Sequence, residues 1–299
     1  MAITLGPILF NWPAQKKIDF YQEVANNENI KTVYLGEVVC QKRFACWGNV
    51  YDDIVTMLKK ANKEVIISSL ALINNEKELE VIDKYAQDKD VLIEVNDVAA
   101  IANLEERFCI GPYVNVYNED AFNFYAKTNA KHITLIPELP LSSIEAFKHF
   151  SLEKEVTCFG RLPLAISARC AHARIYKQTK SNCKYVCDKD LDGLNVSTLD
   201  DESFLTINGL QTMSSSYVNL IKDMDNLKKA GVTRFRISPH HNIDIHKVFD
   251  IFTNVDKGAI SSLEGYEQIV KLNPDINYSN GFLYQKPGYA YQVSGQEKD

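Results

Sequence analysis

The sequence predicts an α/β protein of the (β/α)8 barrel class, and three observations carry the prediction. Short apolar, β-branched runs recur along the chain, and segments of helical periodicity fill most of the gaps between them. No G-x-G-x-x-G follows the first run, which disfavours an open dinucleotide-binding sheet. The runs fall at 3–10, 32–38, 65–70, 91–95, 113–117, 132–136, 156–159 and 234–238. Their apolar character is continuous, as expected of parallel strands covered on both faces. Between them Ile18, Tyr21 and Val24 share a helical face, as do Tyr51, Ile54 and Leu58, and Leu79, Ile82 and Tyr85. Phe122 and Tyr125 share another, with Asn129 at its fraying end. Asn49 ahead of Asp52 and Asp53 reads as a helix cap, and Ser142-Ser143-Ile144-Glu145 as a capping box. Gly231 reads as the stop of a helix carrying Tyr217, Leu220, Met224 and Leu227.

The interval 165–233 is too long for one β–α connection. It predicts a hairpin, 194–199 with 203–207, turning at Asp200-Asp201-Glu202, followed by that helix. Long insertions in barrels sit at the mouth and carry function. The expected organisation is one barrel domain over 1–290, including the insertion, and a polar tail at 291–299.

With 45% hydrophobic residues and a net charge of −6, the composition is that of a soluble globular chain. Lysines are scattered, so no basic stripe points to nucleic acid. No stretch approaches the ~20 apolar residues of a membrane helix, and residues 1–10 lack a basic leader. A cytoplasmic protein without membrane insertion is expected. Seven cysteines, an odd number, argue against a disulfide scaffold. Where thiols stay reduced, clustered cysteines more often bind metal or do chemistry.

Three of them cluster as Cys170-(twelve residues)-Cys183-Lys184-Tyr185-Val186-Cys187, and Cys40 stands alone early. Zinc and iron–sulfur centres need about four converging ligands. In a barrel the C-terminal strand ends face the mouth. The second strand ends at Leu35-Gly36-Glu37-Val38-Val39-Cys40 and the seventh at Phe159-Gly160-Arg161, just before the late cysteines. Cys40 and the late loop are therefore expected to open on one face. The fourth strand ends near Glu94-Val95-Asn96-Asp97, the sixth at Pro137-Glu138 and the eighth at Ser238-Pro239-His240-His241. The residues alone leave alternatives open. Cys46 reads as a spare thiol, a packing residue or the true early ligand, and Cys109 and Cys158 as small buried hydrophobes. A C-x3-C pair is a weak motif by itself. His240-His241 suits a metal or substrate group and equally a surface or capping role. Glu37 and Arg161 suit one internal ion pair. Alternatively Glu37, Arg43, Arg161 and Arg169 bind an anionic substrate or tune a metal centre. No catalytic residue is assignable.

The segment from Glu155 to Cys170, Glu-Val-Thr-Cys-Phe-Gly-Arg-Leu-Pro-Leu-Ala-Ile-Ser-Ala-Arg-Cys, aligns without gaps to a known signature. It resembles that of the collagenase-like peptidase family (the "U thirty-two" group), Glu-x-Phe-x-His-Gly-small-hydrophobic-Cys-aliphatic-small-aromatic-Ser-Gly-x-Cys. Glu155, Gly160, Ala165, Ser167 and Cys170 match. Phe159 replaces the histidine, Pro163 the inner cysteine, Ile166 the aromatic residue and Ala168 the glycine. With C-x12-C-x3-C following, this variant is similar to the ubiquinone-biosynthesis branch of the family, UbiV. So are Val33-Tyr34-Leu35-Gly36-Glu37-Val38-Val39-Cys40-Gln41-Lys42-Arg43 and Ile207-Asn208-Gly209-Leu210-Gln211-Thr212. The opening Leu5-Gly6-Pro7-Ile8-Leu9-Phe10-Asn11-Trp12-Pro13 agrees as well, so the resemblance spans essentially the whole chain.

The resemblance implies a [4Fe–4S] cluster on Cys40, Cys170, Cys183 and Cys187. It implies a heterodimer with a UbiU-like homologous barrel protein, and a role in oxygen-independent hydroxylation of a ubiquinone precursor. Two other readings stand beside it. A peptidase is disfavoured by Phe159, which can neither transfer a proton nor bind a metal, and by the lack of a Ser/His/Asp or H-E-x-x-H arrangement. A zinc-stapled scaffold without chemistry would use the same thiols.

Overall fold

In the computed structural model, which describes residues 1–48, 50–104 and 106–292, seven parallel strands follow one another around a barrel. They are β1 (Ala2–Leu5), β2 (Thr32–Leu35), β3 (Glu64–Ser68), β4 (Val91–Val95), β5 (Phe108–Ile110), β6 (His132–Thr134) and β7 (Glu153–Ile166). An antiparallel group then intervenes: β8 (Leu194–Ser197), β9 (Ser203–Asn208) and β10 (Gln211–Asn219). The eighth barrel strand, β11 (Val232–Ile237), slots between β7 and β1 and closes the ring. A short β12 (Tyr278–Ser279) pairs with β10. The expected (β/α)8 barrel is the observed fold.

Helices cover the barrel: α1 (Ala14–Asn26), α2 (Val50–Lys60), α3 (Glu80–Ala86), α4 (Glu119–Ala126) and α5 (Leu141–Ala146) separate the early strands. The short α6 (Ala171–Ile175) lies in the insertion, α7 (Met224–Lys229) leads into β11, and α8 (Ile245–Asp256) and α9 (Ser262–Leu272) follow it. Their apolar faces match the periodicity, with Tyr21, Val24, Tyr51, Ile54, Leu58, Ile82, Tyr85 and Phe122 buried. Among the described residues no helix is long and apolar enough to cross a membrane.

Three expectations need correction. The fifth strand is Phe108–Ile110, not 113–117. The alternation of Val114 and Val116 reports their burial in a loop. The true strand, held between β4 and β6, is too short and too evenly buried to show a period. Ser142–Glu145 makes no capping box: α5 starts at Leu141 behind Pro140 with no side-chain cap. The complete capping box is Ser261 with Glu264, at α9. Tyr217 and Leu220 are not helical. Tyr217 lies in β10, where bulges around Met213–Tyr217 break the two-residue period, and only Met224 and Leu227 belong to α7. Gly231, at φ +91°, does stand just past that helix. The cap expected at Asn49 lies outside the described residues, as does most of the tail.

The barrel interior also departs from expectation. Apolar strand residues face outward beneath the helices, and much of the inward layer is polar. Arg236 reaches Glu94 at 2.6 Å and Glu155 at 2.5 Å, with its guanidinium 3.8 Å from the centre of the Tyr34 ring. Glu155 also accepts from the hydroxyls of Thr4, Tyr34 and Thr134, and Glu94 from Ser68 and Asn96. Since the Tyr34 hydroxyl donates to Glu155, the contact at 2.7 Å from His132 Nε2 requires that nitrogen to carry the proton. Burial, though opposed by Glu155, lowers His132 to about 3, so the ring is neutral. Burial is the largest single effect and would raise Glu155, but the positive charges of Arg236 and Arg234 and the hydrogen bond from Thr4 together outweigh it and hold the carboxyl down to about 2.

Candidate functional site

β7 is the strut that builds the site. At fourteen residues it is the longest strand described. Its first half pairs with β6 and β11 inside the barrel, and its second half runs past the mouth and pairs antiparallel with β10. β9 and β8 extend that sheet, so the predicted hairpin is present. The chain leaves β7 at Ile166 and enters the cysteine loop directly, with the loop positioned by a strand rooted in the barrel wall.

The four predicted cysteines line one cavity with about 370 Å3 of empty space, part of it open to solvent. Cys40 opens the 3-10 turn Gln41–Cys46 after β2. Cys170 is the N-cap of α6, its sulfur accepting from the Ala173 N–H at 3.3 Å. Cys183 precedes, and Cys187 lies within, the 3-10 turn Val186–Asp188, entered through Tyr185 at φ +54°. Arg43, His172, Val186 and Gly209 complete much of the wall. Among the described residues, no three Cys, His, Asp or Glu side chains are gathered closely enough to grip one ion, so a bound group would have to draw the sulfurs in. The donor chemistry is nonetheless consistent with a thiolate centre: four soft ligands from two distant segments face a shared space. Burial, opposed by Arg43, raises the Cys40 thiol to about 11, and burial also raises Cys170 and Cys46. Metal binding at Cys40 would release a proton.

Of the other cysteines, Cys109 and Cys158 are fully buried, and the Cys158 thiol donates to the Arg236 carbonyl at 3.2 Å. They are the small core residues expected. Cys46 lies near Cys187 and Asn11, and the Asn11 amide donates to the Cys187 sulfur at 3.6 Å.

The expected Glu37–Arg161 pair does not form. Glu37 instead faces Arg43 at 3.8 Å and accepts from the N–H groups of Val39 and Cys40. This fixes the backbone that carries the Cys40 thiol. Arg43 donates to the Leu9 carbonyl and to Asn208 Oδ1, tying the early turn to the β9–β10 connection. Arg161 ties β7 to the outer sheet through Thr206 and the carbonyls of Ser214 and Ser215, lying over the Tyr217 ring at 4.6 Å. Arg169 is exposed.

Several site residues escaped the sequence reading. His172 lines the cysteine cavity, and its Nε2 lies 2.8 Å from Asp190, which also accepts from Tyr176. Asp190 lines a second, more open cleft of about 690 Å3 with Arg161, Lys189, Asp192, Tyr217 and His241. Lys17 lies buried at 1% exposure, its ammonium 4.1 Å from the centre of the Trp47 ring. The signal for Lys17 was present: it sits four residues before Tyr21 and seven before Val24, on the buried face of α1. Nothing in the spacing marks the His172–Asp190–Tyr176 group, which the loop assembles.

His240 is buried at the end of β11. Its Nε2 accepts from the Arg161 N–H at 3.1 Å, and its Nδ1 faces Asp192 at 3.5 Å. The pairing needs Gly160, whose φ of +117° suits no other residue. A Cβ there would lie 2.7 Å from Ser238 Cβ and 2.9 Å from His240 Nε2. Gly160→Ala is expected to lower unfolding stability by about 1–3 kcal/mol through backbone strain, measurable by urea denaturation. A variant as stable as wild type would show that the strand end is free to move.

His172 has both ring nitrogens in contact, Nδ1 lying 3.5 Å from the Gly209 N–H, whereas His240 Nδ1 approaches Asp192 without a hydrogen bond. The signature segment that runs along β7 into the cysteine loop is part of a wider match. The model of peptidase family U32 matches residues 21–292, most of the barrel and all of the insertion. By that match the chain is a member of peptidase family U32.

Proposed function

We propose that this U32-family chain holds a [4Fe–4S] cluster on Cys40, Cys170, Cys183 and Cys187. We propose further that it serves, paired with a UbiU-like homologous barrel in the cytoplasm, in oxygen-independent hydroxylation of a ubiquinone precursor. The observation that supports this most is the meeting of two segments more than a hundred residues apart, each delivering thiols to one cavity at the barrel mouth. The hydroxylation role and the partner rest on the resemblance to the UbiV branch. When bound, such a cluster supplies one-electron transfer. Four thiolates complete the usual ligand set, which favours electron transfer or a structural role over an iron open to substrate. The chain's own residues do the positioning: Glu37 holds the Cys40 backbone, Ala173 N–H orients the Cys170 sulfur, and Asn11 does the same for Cys187.

A peptidase is disfavoured by the site's chemistry. Phe159 is buried against Phe252 and Tyr278, His172 is held by Asp190, and His240 Nε2 accepts from the Arg161 N–H.

Purification under strict anoxia tests the proposal. The expected product is brown, carries about four irons and four sulfides per chain, bleaches in air, and brings down a homologous barrel protein in near-equal amount. A colourless protein holding zinc would support the scaffold reading instead. A monomer that alone restored anaerobic quinone synthesis in cells lacking the homologue would remove the partner from the proposal.

A further inference from the structure

Two buried cations stand beside the cysteines with one carboxylate between them. Arg43 lines the cysteine cavity itself, at 1% exposure, on a wall shared with Cys40, Cys170, Cys183 and Cys187. Lys17 lies behind it on α1, with its ammonium over the Trp47 ring. Glu37 faces Arg43 at 3.8 Å and is the carboxylate whose charge also acts on Lys17. Burial pulls the Lys17 ammonium below its ordinary value and Arg43 adds to that, while Glu37, Cys46 and Cys187 oppose it; Glu37, Cys187 and Cys40 favour the charged Arg43.

We propose that Lys17 and Arg43 set the charge of the cysteine site, stabilising the more reduced form of the anionic centre bound there. The inference rests on the cluster reading above and adds to it the groups that fix the centre's potential.

Desolvating an ammonium and a guanidinium costs several kcal/mol each unless charge partners offset it. Glu37 offsets one of them. The Arg43 guanidinium also has neutral acceptors in the Leu9 carbonyl and Asn208, and Lys17 has the face of Trp47. One positive charge is left over, and it lies against thiols. Neutral thiols do not offset that surplus, whereas an anionic thiolate centre does. A four-thiolate iron–sulfur cluster is negative in both common redox states, and more so after accepting an electron. A nearby buried cation therefore favours the reduced state over the oxidised one and raises the reduction potential. Packing does not require a charge at position 17. Methionine matches the Lys17 stem in length and apolar character and carries no charge, so Lys17→Met removes the charge over Trp47 with little change in volume.

The test uses anoxically purified, cluster-loaded protein with all seven cysteines intact. Lys17→Met keeps the stem and removes the charge; Lys17→Arg keeps the charge. Iron and sulfide content, and the midpoint potential from a redox titration followed by electron paramagnetic resonance, are the readouts, with Trp47 fluorescence reporting the local fold. Lys17→Met is expected to retain iron while its reduced-to-oxidised ratio at a fixed ambient potential falls about tenfold, a shift of about 59 mV for one electron. Lys17→Arg is expected to return most of that shift. Loss of iron from the methionine variant alone would equally show that the charge is required. Full iron with an unchanged potential in Lys17→Met would overturn the inference and leave the cluster reading standing, as would iron loss in both variants. Wild-type protein without iron would overturn the cluster reading itself, and this inference with it. Should Lys17→Met not fold, Lys17→Gln is read in the same way.

Discussion

Alanine at any one of Cys40, Cys170, Cys183 or Cys187 is expected to strip most of the iron and sulfide from anoxically purified protein. Cys46→Ala, Cys109→Ala and Cys158→Ala are expected to keep both. Each of the first four thiols stands on a different part of the cavity wall. Cys40 stands before the early turn after β2, Cys170 at the start of α6, Cys183 ahead of the Val186–Asp188 turn and Cys187 within it. An incomplete thiolate set leaves an iron exposed to solvent and oxidation. Cys109 is buried with Tyr34 and Ile66 inside the barrel, and Cys158 is buried in the barrel wall, so neither reaches the cavity. Cys46 is the informative control, because it lies close to Cys187 without lining the cavity. If Cys46→Ala empties the protein while Cys40→Ala stays brown, the early ligand has been assigned to the wrong cysteine. Circular dichroism of each variant separates ligand loss from unfolding.

The largest effect on stability is expected at Glu155. Glu155→Gln removes the charge that Arg236 faces at 2.5 Å and places an amide N–H₂ against donors from Thr4, Tyr34 and Thr134. Breaking a fully buried pair of this kind costs about 3–5 kcal/mol, to be read from the urea midpoint at constant slope. The pH dependence has a definite sign. The folded carboxyl, held down to about 2, lies below its ordinary value of 4.5. Its contribution is therefore fully present above the ordinary value and is lost as pH falls from there towards 2. Wild-type protein should lose stability across that window, and Glu155→Gln should show a flatter acid limb. A glutamine variant within about 1 kcal/mol of wild type would mean that Glu94 alone satisfies Arg236.

Much of this was legible in the chain because the signals were periodic. The barrel strands other than β5 and the faces of α1 to α3 follow from apolar spacing, and the meeting of Cys40 with the late cysteines follows from the rule that strand ends share a mouth. What was not legible depended on pairing across distance. Glu155 and Arg236 lie eighty-one positions apart and reveal their contact only once β11 lies beside β7. The partner of Glu37 was misassigned to Arg161 because strand ends suggest proximity but not direction. Arg43, six residues on in a 3-10 turn, bends back to it. β10 hid behind three serines and a bulge, since neither composition nor period marked it as a strand. The signature motif located the segment correctly but gave no hint that it is one continuous strand leaving the barrel.

β11 is synthesised last among the barrel strands yet is bonded on both sides, to β1 and β7. Until it arrives, the emerging chain has two unsatisfied sheet edges and two interior carboxylates, Glu94 and Glu155, with no guanidinium between them. A half-built ring is thus discouraged from drying out around its own centre, because doing so would strand like charges in a low-dielectric space. Arg236 enters with the final strand and satisfies both carboxylates as the edges close. Hydrogen bonding and charge neutralisation are coupled in that one docking event, so ring closure should be all-or-none.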